Sequence, residues 1–159
     1  MKSPLRKHFP GLRRRERGSA AVELALLLPI LVTLLTFPVF YARCLWHYTA
    51  AQKAAQDAAR YMATVPAAEM RSRRLAGEAQ QIAENIARQE IAELAPGKEF
   101  DPPQVTCDGL SCGSSTGRTP AKVRVYISFG MADTFFGVVD TGRYGFLITA
   151  DVTMRYAGN

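Results

Sequence analysis

Two places in this chain combine residue types and spacing that could do chemistry. The first is residues 17–23, which read RGSAAVE. Glu23 is the only charged residue between Gly18 and Ala42. A carboxylate near the start of an apolar helix costs on the order of a few kcal/mol. Five positions ahead of it stands Gly18, followed by the small residues Ser19, Ala20 and Ala21. That junction suits a peptidase. A cut after Gly18 would give Ser19 a free amine and make Glu23 the fifth residue of the new chain. In a bundle of such helices each carboxylate would meet a neighbour's N-terminal amine, neutralising two charges that are expensive apart. The blander alternative places Glu23 at the lipid headgroups, where its cost falls. The second place is Cys107 and Cys112, with four residues between them in CDGLSC.

The element that must position Glu23 is the apolar run that follows it. Residues 24–42, LALLLPILVTLLTFPVFYA, hold no charge in 19 positions. At about 1.5 Å per residue, with 19–22 in front, a helix of that length crosses about 30 Å of hydrocarbon. Pro29 and Pro38 would harm a soluble helix more than a membrane one. Phe40, Tyr41, Trp46 and Tyr48 gather around Arg43 as an aromatic belt with a snorkelling cation. The run is too long for a cleaved secretory signal, and Arg43 is too bulky for a lipoprotein site at Cys44. Cys44 therefore reads as a free thiol at the membrane boundary.

Charge sets the orientation. The chain carries 20 basic and 14 acidic residues, a net +6. Residues 1–18 hold seven of the basic residues and one acid, so the remaining 13 of each sign cancel. The high pI belongs to the leader alone. Placed before an apolar span, such a run reads as a topology signal rather than a nucleic-acid arm. The N-terminus is expected on the cytoplasmic side and the C-terminus outside.

The RGSAAVELALLLPILVTLL stretch resembles the N-terminus of TadE-like pseudopilins, a branch of the type IV pilin-like proteins. The resemblance implies cleavage after Gly18 by a prepilin peptidase, with Gly18 and Ser19 as the processing site and Glu23 as the assembly residue. It implies a minor subunit of a Tad-type (Flp) pilus in the bacterial cytoplasmic membrane. Its partners would be other pilins or pseudopilins, Tad assembly proteins and membrane lipid. The chain departs at Leu24, where the family commonly has an aromatic. The ending ITADVTMRY resembles the terminal strand of TadE-like domains.

Beyond the span, residues 45–64 are Ala-rich and free of Gly and Pro, so the helix should continue outward. Ala50, Ala51, Ala54, Ala55, Ala58 and Ala59 form a small-residue stripe. It is either an exposed face of good helix formers or a packing seam against the C-terminal domain or another subunit. Val65 and Pro66 end the helix. A second helix is expected over 67–94, with Leu75, Ala79, Ile82 and Ile86 on one face, widened by Ala83, Ala87, Ile91 and Leu94. Pro96 and Gly97 stop it. Alternation at Val123, Val125, Ile127 and Phe129, and from Phe146 to Tyr156, predicts two half-buried strands, with a short one near 104–107. The intervening Phe135, Phe136, Val138 and Val139 are expected to fold over the sheet or to meet a membrane or partner.

The fold class is therefore α+β, divided into a leader (1–18), a transmembrane helix (19–43), its outward extension (44–65) and an extracytoplasmic domain (66–159) ending in a small antiparallel sheet. Outside the cytoplasm disulfides persist, so Cys107 and Cys112 are expected to close a small loop. Too few ligands surround them for zinc. Glu78 and Glu84 read as a solvated face, and His8 and His47 suggest no triad. No enzyme, cofactor, metal or nucleic-acid partner is expected. The alternative to a pilus subunit is an uncleaved single-pass protein with a partner-binding outer domain.

Overall fold

The structure, a computed structural model, describes residues 16–94, 101–114, 117–131 and 146–158, with backbone alone at 16, 17 and 19. Most of the leader, the Pro96-Gly97 helix stop and Phe135 to Val139 lie outside the described residues. The order is α1 (Glu16–Thr64), α2 (Ala67–Met70), α3 (Arg73–Ala92), β1 (Gln104–Cys107), β2 (Lys122–Met131) and β3 (Phe146–Arg155). This is the α+β arrangement expected. The chain divides into two compact units, Met1–Val39 and Phe40–Asn159.

In the first unit α1 runs through Pro29 and Pro38 without interruption. Thr33 and Thr36 donate their hydroxyls to the Pro29 and Val32 carbonyls at 2.8 Å, so neither needs water. Residues 20–39 are exposed almost throughout, and the most apolar stretch of the helix has none of its residues buried. An apolar helix bare on every side fits a single-pass membrane protein.

In the second unit the alanine stripe is a seam. Ala51, Ala54, Ala55, Ala58 and Ala59 are completely buried, in one core with Ala76, Ala79, Ala83, Ala87 and Ile91 of α3. Lys53 and Glu90 sit 3.9 Å apart across these two helices. The buried face of α3 is turned toward its alanines. Ile82, expected inside, is 47% exposed. Small side chains let two helix backbones approach closely, and the larger Ile82 is left outside the seam.

The single helix expected over 67–94 is broken. Ser72 adopts φ −89° and ψ 122°, an extended conformation that starts α3 afresh. The Arg71 carbonyl accepts from Gly117 N at 3.1 Å instead of continuing a helical ladder. Gly113, at φ +85°, lies against the Arg73 backbone, where any Cβ would meet the Arg73 carbonyl oxygen at 2.6 Å.

The sheet is antiparallel in the order β1-β2-β3. Val123, Val125, Ile127 and Phe129 face the helices as the alternation requires, joined by Val105, Ile148 and Ala150. On the other face Arg124 grips Asp151 with two hydrogen bonds, Nε to Oδ1 at 2.9 Å and Nη2 to Oδ2 at 2.5 Å. The last residues tie the sheet to the end of α1. Tyr156 Oη donates to the Val65 carbonyl at 2.6 Å, and Ala157 N donates to the Ala63 carbonyl at 3.0 Å.

Candidate assembly site

Gly18, Ser19 and Glu23 all lie in the first turns of α1. Ser19 and Glu23 are four residues apart, so they share one helix face about 6 Å apart along the axis. Gly18 is exposed and has no neighbour within 4 Å of where a side chain would stand. Glu23 is exposed as well, with bare apolar neighbours Val22 and Leu24. Among the described residues no ion pair involves Glu23. The geometry is that of a single carboxylate at the start of an uncharged stretch of α1, residues 24–42, open to whatever packs beside it. A cation or amine in that position would offset the cost of holding the carboxylate in apolar surroundings.

The other sequence candidates fall elsewhere. Cys107 and Cys112 form a disulfide. The intervening turn is a two-residue hairpin with Asp108 at φ 52° and Gly109 at φ 84°. Asp-Gly is the pairing such a turn favours, so the signal stood in the sequence. Asp108 also accepts from the backbone of Ala121 and Lys122, both at 2.9 Å. Gln80 Oε1 accepts from Cys112 N at 2.9 Å and from Ser111 Oγ at 3.1 Å, docking the loop on α3. Nothing in the sequence pointed to Gln80.

Glu78 pairs with Arg74 at 2.7 Å, whereas Glu84 accepts from Gln80 at 2.9 Å, so the two carboxylates serve separate local contacts. His47 is 5% exposed, with Nδ1 2.8 Å from the Arg43 carbonyl and its ring 6.5 Å from Phe129. Cys44, a free thiol, is buried on the same helix face. His8 lies outside the described residues. Among the described residues no three His, Cys, Asp or Glu side chains gather where a metal ion could be held.

Burial and pairing shift the titration of several groups in the second unit, among them Glu90, Tyr156 and Asp151. Burial pushes the Glu90 carboxyl up, against the attraction of Lys53. Burial raises the Tyr156 hydroxyl. The hydrogen bonds from Arg124 lower the Asp151 carboxyl.

Comparison with known proteins bears on the helix that carries Glu23. Residues 18–60 match the family model for TadE-like proteins. The match begins at Gly18, takes in Glu23 and the span, and ends just past Ala59, the last alanine of the seam on α1. It covers 43 of the 159 residues. No curated protein and no solved structure matches the chain. The TadE-like match thus rests on α1, and the sheet is described by its own geometry.

Proposed function

We propose that the chain is a minor pseudopilin-like subunit of a Tad-type (Flp) pilus system. In this reading it is inserted in the bacterial cytoplasmic membrane with its N-terminus cytoplasmic. A prepilin peptidase cuts after Gly18, and assembly proceeds through α1. The observation that carries this reading is the TadE-like match over residues 18–60, which starts at the proposed cut. The exposed Glu23 at the head of a bare apolar helix supports it. After cleavage, Ser19 offers an amine on the face that Glu23 shares. A neighbouring subunit's amine and this carboxylate then neutralise each other in lipid, while the leucines supply lateral helix contact. Other pilins and Tad assembly proteins are the partners. The outer unit serves as a packed head on the helix.

Two measurements test this. Mass spectrometry of membrane-extracted protein should give a chain beginning at Ser19; an intact Met1 would overturn the processing step. Glu23→Ala should leave insertion unchanged and reduce incorporation into the assembly by tenfold or more. Undiminished incorporation would overturn the role of the carboxylate.

A further inference from the structure

Within the outer unit, helix and strand can be aligned at two points. At one end Val65 meets Tyr156. At the other, His47 meets Phe129, whose partner across the sheet is Ile148. From Val65 back to His47 is 18 helical residues, about 27 Å. From Tyr156 back to Ile148 is eight strand residues, also about 27 Å. The two elements run in step. Two more strand residues reach Phe146, about 7 Å beyond Ile148. On α1 that is the level of Ala42 and Arg43, within the aromatic belt.

Among the described residues the surface at this level is apolar. Phe146 is 50% exposed and Leu147 60%, on a strand, while Tyr41, Leu45 and Trp46 are 63–69% exposed on the helix. Among residues 40–48, 127–131 and 146–149 only Arg43 carries a full charge.

We propose that this end of the sheet is a lipid-binding face. Phe146 and Leu147 enter the boundary between headgroups and acyl chains beside Tyr41 and Trp46. The outer unit is then held to the bilayer by a strand end as well as by a helix. The occupant follows from continuity. The helix leaving this level is uncharged and bare, so what surrounds it is hydrocarbon, and aromatic side chains concentrate where hydrocarbon meets headgroups. The inference rests on reading α1 as a membrane span.

Trp46 is the only tryptophan, which makes the test direct. The full chain is reconstituted at low density in phosphatidylcholine vesicles brominated near the top of the acyl chains. Trp46 in the parent reports the span and should be quenched. In a Trp46→Phe background, Leu147→Trp and, separately, Phe146→Trp should lose at least half their emission. Thr153→Trp, exposed on the same strand about 20 Å away, should lose little. Quenching in the parent with Leu147→Trp and Phe146→Trp no more quenched than Thr153→Trp would overturn the lipid face and leave the span intact. An unquenched parent would overturn both.

Discussion

In residues 20–39 of α1 the apolar side chains are large and exposed, whereas between Ala51 and Ala59 of the same helix they are small and buried. Both stretches are hydrophobic, and what covers each differs. Leucine, isoleucine and valine present a broad surface to fluid hydrocarbon, which adapts to any shape. Alanine gives up surface so that another backbone, with its own alanines at 76, 79, 83 and 87, can come close. Side-chain size, more than apolar character, separates the stretch of the helix that packs against protein from the stretch that is left bare.

The sharpest way to break this contrast is to truncate one large side chain on each side of it. Phe129 is 1% exposed. Phe129→Ala should destabilise the outer unit by about 3–5 kcal/mol, read by denaturant unfolding followed in the near-ultraviolet. Leu27→Ala, at a site 54% exposed, should leave the same transition where it was. A shared loss would mean that the span contributes to the core.

A smaller effect is expected from the disulfide. Cys107→Ser with Cys112→Ser should cost about 2 kcal/mol, because a loop this short restricts the unfolded chain only modestly. The loss should be confined to the outer unit. Proteolysis near residues 108–111 should show it as earlier nicking.

The smallest effect concerns the sheet's outer face. Arg124 holds the Asp151 carboxyl below its usual range. A depressed carboxyl pKa gives stability that is present above the unfolded value, near 4, and lost as pH falls through the folded one. Both partners are exposed, so screening keeps the effect slight. Asp151→Asn should lower stability slightly at pH 7, change nothing at pH values where the carboxyl is protonated in both states, and so flatten the profile between. A loss as large at low pH, where the carboxyl is protonated in both states, would show that Asp151 acts through packing.

What the sequence disclosed follows the range of the interactions. The bare span, the two long strands and the paired cysteines were legible because each rests on local pattern: charge absence, alternation, spacing. The alanine stripe was legible as a stripe but not as a seam, since a small residue looks alike in water and against another helix. The break at Arg71 and Ser72 depends on Gly113 and Gly117, some forty residues later. The docking of the disulfide loop depends on Gln80, an ordinary helix-surface residue until Ser111 and Cys112 reach it. The proposed site at Gly18, Ser19 and Glu23 sits within one short window near the start of α1, so naming it needs no long-range contact.

The tie between Tyr156 and Val65 has a consequence for the order of events as the chain emerges. Its partners are 91 residues apart in sequence. The helix is finished long before the strand that fastens to it exists. Until β3 arrives, the alanine seam and the inner face of β2 lack part of their cover. Such distant pairing makes closure slow, and exposed apolar surface is open to wrong partners meanwhile. Closure of the sheet onto the end of α1 therefore waits on residues 146–157, the stretch that carries both β3 and the Tyr156 tie.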